Sequence, residues 1–307
     1  MSLIIEQADF LATIQDLGRM GYQHVGVTMG GPMDMHAFLW NNHLLGNIPN
    51  KAQIEIMVGQ FKCMFQQPAM VALSGADMNA QLNGQAISPW QSFYVKAGDI
   101  LTLGMMQQGL YSYLAVKDGF DVMPILGSCT TVMRDDLGGL DAKGGKLGKG
   151  DKINYQPSQP SIARNVAPRF IPSYDKEIEI GVITSAQYKD FSPQMQDLFF
   201  KSTYTVSQEI NRMGYRINGA AITYNKTNLY SEGIDVGAIQ IPMGGQPIVL
   251  MVDRQTIGGY PKIGYICKSD FGRFAQAAPG TKIRFYQKDI MVAAQEYQEQ
   301  LSFFTHI

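Results

Sequence analysis

This sequence predicts a mainly β protein with a few helices, built as two domains of closed-barrel type rather than as a doubly wound sheet. Three observations predict it. At 307 residues the chain exceeds most single cores and suits about two domains at ~100–200 residues each. Its 32 glycines recur between short β-branched or aromatic runs, the pattern of many short strands joined by tight turns. Between Tyr155 and Ser173 the texture changes, because Pro157, Pro160, Pro168 and Pro172 stand in a polar stretch without periodicity. Clustered proline favours an extended connector, so the expected domains are residues 1–165 and 166–307.

Before the connector, strands are expected at residues 61–65, 69–73, 93–96, 100–103 and 110–116. After it they are expected at residues 178–183, 248–252, 263–267 and 283–286. Gly98, Gly150 and Gly280 each stand in a turn just ahead of a strand, where glycine accepts positive φ without steric cost. That recurrence fits closed barrels better than alternating strands and helices. Residues 138–150, rich in glycine and lysine, read as a loop. Four helices are legible. Asp34 caps the first, which runs to about Leu45 and stops at Gly46; Ser192-Pro193 starts the second. Ser269 opens a shorter one through Phe271 and Phe274, and Asp289 begins the last, with Ile290, Ala293, Ala294, Tyr297 and Leu301 at helical spacing.

Composition excludes several functions. Hydrophobic residues make up 45% and charged residues 17%, as in a soluble globular protein. Formal charge is 25 − 26 = −1, so no global field draws the chain to nucleic acid or an anionic membrane. Apolar runs such as 248–252 are strand-sized and far below the ~18 residues of a membrane span. The N-terminus, with Glu6, Asp9 and Asp16, lacks the basic start and apolar run of a secretory signal. Cys63, Cys129 and Cys267 are far apart and form no CxxC pair, which argues against a disulfide framework or zinc knuckle. A cytoplasmic setting follows.

Several familiar motifs are incomplete. The run from Gly139 to Gly144 suggests a phosphate loop, but Gly145 stands where lysine must reach the phosphates. His36 and His43 are two helical turns apart, without the i, i+4 spacing or cysteine partner of a zinc site, so no metal is expected. There is no Gly-x-Ser-x-Gly and no cysteine with an activating neighbour. A Met-Lys-Met biotinylation segment is also missing, so any biotin would come from another protein.

Two polar, glycine-rich clusters remain. The first holds Gln15, Asp16, Gly18 and Arg19, then Gly30-Gly31-Pro32-Met33-Asp34. On residue types alone, a capped helix entered through a glycine-rich loop outweighs a site here. The second opens with Asn211-Arg212-Met213-Gly214-Tyr215-Arg216 and passes through Ser231-Glu232-Gly233, Gln240 and Gln246. It ends in Asp253-Arg254-Gln255 and Gly258-Gly259-Tyr260-Pro261-Lys262. These polar residues follow a fully apolar strand where it leaves the core, and the paired glycines allow close approach to a ligand. Arg254 and Lys262 suit a carboxylate or phosphate, and Asp253 an orienting or basic role. A β-turn with a solvated salt bridge fits the same residue types.

In their order and spacing, these runs resemble the biotin-dependent carboxyltransferase-like family, which includes allophanate hydrolase subunit 2 and the C subunits of bacterial 5-oxoprolinases. The resemblance extends from about Ile5 to Tyr286. It departs at Asp118-Gly119-Phe120-Asp121 where Gly-Gly-Ile-Asp is usual, at Cys129 where arginine is common, and at Asn211 where aspartate is common. It implies two linked cyclophilin-like β-barrels and a subunit of a complex that opens the lactam of 5-oxoproline to glutamate with ATP. The implied partners are a smaller cyclophilin-like protein of kinase-inhibitor type and a third subunit, with room for a higher oligomer.

On that reading Asp253, Arg254, Lys262 and Glu232 are the catalytic candidates, with Glu232 or Asp253 as general base. Asp16, Arg19, Asp34, Arg212, Tyr215, Arg216, Gln240, Gln246, Gly258, Gly259 and Tyr260 are the substrate-binding candidates. Two alternatives stand beside it. One is carboxyl transfer from biotin to a urea-like acceptor; the other is a non-catalytic antagonist of the kinase-inhibitor partner.

Overall fold

The computed structural model describes residues 2–226 and 229–305. The chain divides into two compact units. Met1–Met20 with Met29–Ser173 form the first, and Gly21–Thr28 with Tyr174–Ile307 the second. The division at Ser173/Tyr174 falls at the end of the proline-rich connector, later than the expected 165/166. Assignment of Gly21–Thr28 to the second unit has no signal in the sequence.

The first unit contains β1 (Ser2–Ala8), β2 (Ala12–Gln15), α1 (Met35–Leu45), β3 (Gln53–Met57), β4 (Gly59–Phe65) and β5 (Ala69–Asp77). It continues with β6 (Gln81–Leu82), β7 (Gln85–Ala86), β8 (Gln91–Val95), β9 (Ile100–Met105), β10 (Gln108–Val116), β11 (Phe120–Asp121) and β12 (Lys152–Tyr155). These form a 7-stranded sheet, ordered β11-β12-β1-β4-β9-β6-β7, and a 5-stranded sheet, ordered β2-β3-β10-β5-β8. Alternation along the strands decides what lies between them. Ile5, Phe61 and Leu101 of the first sheet and Ile14, Ile54 and Leu114 of the second share one apolar core. Gly75, with φ +89°, sits where the β5–β10 register slips, and a Cβ there would strike the Tyr111 carbonyl oxygen.

The other face of the 5-stranded sheet is polar and covered by α1. Ser74 Oγ donates to the Ala37 carbonyl, Gln53 Nε2 to the Phe38 carbonyl, and Asn41 Nδ2 to Gln53 Oε1 and the Tyr113 carbonyl. This accounts for a helix that is buried nearly all round yet carries Asn41 in its interior, while Asn42 donates to the Pro49 and Lys51 carbonyls. Its ends form as the sequence predicts: Asp34 Oδ1 accepts from the Ala37 amide, and Gly46 closes the helix in the left-handed region.

The second unit contains β13 (Glu177–Thr184), α2 (Pro193–Lys201), β14 (Thr203–Ile210), β15 (Gly214–Asn218), β16 (Glu232–Gly233) and β17 (Ala238–Gln240). It continues with β18 (Ile248–Leu250), β19 (Ile257–Gly258), β20 (Lys262–Ile266), α3 (Lys268–Ala275), β21 (Lys282–Gln287) and α4 (Ile290–Thr305). Seven strands close a barrel in the order β13-β20-β17-β18-β15-β14-β21, with β21 returning parallel to β13. Inward residues such as Ile180, Tyr204, Ile217, Val249 and Phe285 are buried while their neighbours in β13 and β21 face outward. Every strand expected from the sequence is present. So are the four helices, although α3 starts at Lys268, with Cys267 rather than Ser269 outside its first turn.

One element stands outside the barrel. Among the described residues the short strands β16 and β19 pair only with each other, Glu232 opposite Gly258 and Gly233 opposite Ile257. This ribbon carries the glycine-rich end of the second polar cluster.

Candidate functional site

In the first unit Asp16 and Arg19 are buried, and both hold the same loop. The Asp16 carboxylate accepts from the Gly18 amide at 3.0 Å, Ser128 Oγ at 2.6 Å, the Cys129 amide at 2.7 Å and Thr130 Oγ1 at 2.8 Å. Arg19 donates from Nε to the Ile125 carbonyl at 2.9 Å, and from Nη2 to the Ser128 and Thr130 carbonyls. These bonds shape residues 125–130, with the Asp16 carboxylate engaged by four donors. Asp34 is spent capping α1, and its own amide donates to Tyr113 Oη, which in turn donates to Glu55 Oε2. Burial, followed by the Glu55 and Asp34 charges, raises the Tyr113 phenol well above its ordinary value. No sequence signal marks this buried Glu55–Tyr113 pair, because Glu55 alternates with isoleucines as a solvent-facing residue would, whereas its strand is buried on both faces.

In the second unit the barrel and the ribbon bring four of the expected residues together. Lys262 opens β20 and is 2% exposed; its ammonium pairs with Glu232 Oε1 of the ribbon. Glu232 also accepts from Gln187 Nε2 at 2.8 Å, while Gln187 Oε1 accepts from the Lys262 amide at 2.7 Å. Gln240 pairs with Lys262 across β17 and β20 at a register slip between Ile239 and Gln240, a bulge that re-aims the side chain. The Gln240 amide nitrogen is buried and has no hydrogen-bond partner among the described residues. It lies under Gly258, where an added Cβ would stand 3.2 Å from Gln240 Nε2 and 2.5 Å from Ile234 Cδ1. Only glycine lets the ribbon approach this closely. Tyr260 and Gly259 follow at the exposed edge.

Arg254 is a second buried cation beneath the ribbon. Its Nε donates to the Ile234 carbonyl at 3.2 Å and its Nη2 to Asp235 Oδ1 at 3.4 Å. Burial pulls its proton affinity below the ordinary value, while Asp235 and Asp253 oppose that shift. Nearby, the Tyr265 phenol is raised by burial and then by Glu232 and Asp235. Sequence reasoning missed Gln187 and Asp235. Asp235 stands two residues beyond the Ser231-Glu232-Gly233 run, and that spacing is a signal for it, whereas nothing distinguishes Gln187 in its short 3₁₀ turn.

The remaining candidates are held elsewhere. Asp253 meets Arg212 in a two-pronged fork, Nε to Oδ2 at 2.8 Å and Nη2 to Oδ1 at 2.9 Å, with side chains 5% and 4% exposed. Both oxygens of this carboxylate, expected to orient a cation or act as a base, are engaged by the one guanidinium. Tyr215 is buried, with its hydroxyl on the Ala275 carbonyl behind α3. Arg216 pairs with Glu209 at the surface, and Gln246 exchanges two bonds with the Gly219 backbone. Among the described residues no group of three or more His, Cys, Asp or Glu side chains is placed to hold a metal ion.

A closed barrel with a glycine ribbon over buried cations is the setting in which the comparisons with known proteins fall. The model described as "Carboxyltransferase domain, subdomain A and B" matches residues 25–287, and the chain belongs to that family. Among similar proteins, the C subunit of 5-oxoprolinase from Escherichia coli (strain K12) is 36% identical over 306 residues, 99% of this chain and 97% of that protein. Urea amidolyase of Lachancea kluyveri is 28% identical over 94% of this chain, but over only 17% of its own length. The crystal structure of Kluyveromyces lactis urea carboxylase superposes with a TM-score of 0.90 and 26% identity, covering 99% of this chain and 29% of that one. The chain thus spans less than a third of the urea carboxylase it matches.

Proposed function

We propose that this chain acts as the C subunit of an ATP-dependent 5-oxoprolinase, in which the lactam of 5-oxoproline is opened to L-glutamate. The observation that carries this reading is the identity to the Escherichia coli relative, 36% across 97% of that protein, against 28% for the matching part of the amidolyase. A γ-lactam amide is unreactive until its carbonyl oxygen is made a leaving group, and phosphate from ATP does that. This chain's share is to hold oxygen atoms that carry or develop negative charge. Lys262 and the Gln240 amide are the donors for that task, and Glu232 is the general base. Arg254 and Asp235 keep the ribbon over them, and Gly258, Gly259 and Tyr260 line its edge.

The nucleotide enters at the level of the complex, since the sequence carries no phosphate loop. The partners are a smaller cyclophilin-like protein of kinase-inhibitor type and a third subunit, and the setting is the cytoplasm. Asp16, Arg19, Asp34, Arg212, Tyr215, Arg216 and Gln246 serve as framework. The likeness to urea carboxylase favours a second reading, carboxyl transfer from a biotinylated carrier to a urea-like acceptor. Mixing the chain with its partner subunits separates the two. The first reading expects ATP-dependent glutamate formation from 5-oxoproline that needs every subunit. Urea-dependent consumption of carboxybiotin, with no glutamate formed, would overturn it.

A further inference from the structure

The ribbon β16–β19 is held to the barrel by charge, and the distribution of that charge is lopsided. The barrel's cations are buried, the Lys262 and Arg254 side chains being 3% and 2% exposed. Their anionic partners on or beside the ribbon are open to water, Glu232 at 49% and Asp235 at 61%. A long-stemmed cation kept out of water with an acceptor that itself remains in water is poised for exchange of that acceptor. Beside Lys262, across the β17–β20 ladder, the Gln240 amide is a buried donor with no acceptor among the described residues. Buried donors are nearly always satisfied, and this one stands across the ladder from a cation whose acceptor is open to exchange.

Cross-strand partners place their side chains on the same face of a ribbon. Glu232 and Gly258 are such partners, so the Glu232 carboxylate and the bare Gly258 α-carbon both look onto the barrel, toward Lys262 and Gln240 respectively. The ribbon therefore lends a carboxylate to one of two neighbouring donors and leaves the other empty.

We infer that Lys262 and Gln240 form a receptor for the carboxylate of a small substrate, and that Glu232 is its built-in placeholder. An arriving carboxylate takes the ammonium from Glu232 and adds the bond that Gln240 lacks. Glu232, released from its cation, is left beside the newly bound molecule with its carboxylate free to take a proton. Binding thereby frees the base. This rests on the reading of the site given above, in which the substrate carries a carboxylate, and it adds an order of events and a selectivity to it. A lactam without a carboxylate fails to displace Glu232.

Binding to the full chain tests this apart from turnover. The probes are L-5-oxoproline, propionate and 2-pyrrolidinone, followed through the Gln240 side-chain amide signal in nuclear magnetic resonance and by calorimetry. The two carboxylates are expected to shift that signal, and 2-pyrrolidinone to leave it unmoved. Glu232→Gln removes the competitor's charge and should tighten carboxylate binding about 10-fold, while Gln240→Met should weaken it about 10-fold. Gln240→Met deletes a donor that has no partner among the described residues, so its melting temperature should stay level, which separates the effect from misfolding. An unmoved Gln240 signal with both carboxylates, or weaker binding in Glu232→Gln, overturns the proposal even where the complex forms glutamate. Correct binding shifts without glutamate formation would leave the receptor standing and remove the 5-oxoprolinase reading.

Discussion

Two buried polar clusters, one in each unit, look alike in sequence and differ in how their hydrogen bonds are used. Around Asp16 and Arg19 the charges turn inward onto the chain's own backbone, with four donors on the carboxylate and three carbonyl acceptors on the guanidinium. Around Lys262 the charges face an exposed carboxylate on a two-stranded ribbon, and an amide donor nearby goes unused. Charges turned onto the chain's own backbone hold a loop in shape. A buried cation whose acceptor stays in water can exchange that acceptor. The clusters are told apart by where each bond goes, more than by residue type.

Substitutions put that contrast at risk in graded steps. The largest losses of stability are expected where a buried charge is held by several bonds. Asp16→Ala strands two hydroxyls and two amides, and Arg212→Ala leaves the Asp253 charge buried without its fork. Each should cost about 3–5 kcal/mol in denaturant unfolding. A small change in either would place it outside the framework. Gly258→Ala forces a Cβ to 2.5 Å from Ile234 Cδ1 and should cost about 1–2 kcal/mol while lifting the ribbon, read as faster amide exchange in residues 232–235. Lys262→Met replaces one half of a half-exposed ion pair with an apolar chain of similar length, so stability should move by less than about 1 kcal/mol. Arg216→Ala, at an exposed pair, should change it by no more than about 0.5 kcal/mol.

Titration offers a smaller, independent check on the first unit. Burial, and then Arg164, lowers the proton affinity of His43. The unfolded chain then binds more protons than the folded one below the ordinary histidine value of about 6.5. Stability from this group is complete above that pH and is lost as pH falls toward the folded value. His43→Gln should flatten that part of the stability–pH curve, and an unchanged slope would remove His43 as its source. The Cys129 thiol, pushed up to about 11 by burial and then by Asp16, should alkylate far more slowly than an ordinary exposed thiol in mildly alkaline buffer.

Much of the fold is legible in the sequence because it rests on local signals. Glycine turns and short β-branched runs mark the strands, and Asp34, Ser192 and Asp289 mark helix starts that the structure keeps. Strands β2, β3, β14 and β15 carry no such signal. Each sets polar side chains such as Gln15, Gln53, Glu55 or Arg216 beside apolar ones, and in β2 and β3 that polar face is buried. The second polar cluster stands out in the sequence as a group, but its members cannot be sorted in one dimension. Arg212 and Asp253 are 41 positions apart and meet as a fork. Lys262 and Glu232, 30 apart, meet only because the ribbon folds back over the barrel. Gln240 and Gly258 need the β17 bulge to become neighbours.

The sharpest test compares glutamate formation by the assembled complex containing either the wild-type chain or Lys262→Met, at matched melting temperature. ATP-dependent turnover of 5-oxoproline is expected to fall at least about 100-fold in the variant, the loss that follows removal of a donor to developing charge. Equal rates for the two chains would mean that the Lys262 cluster is framework like the other, and that the chemistry lies elsewhere.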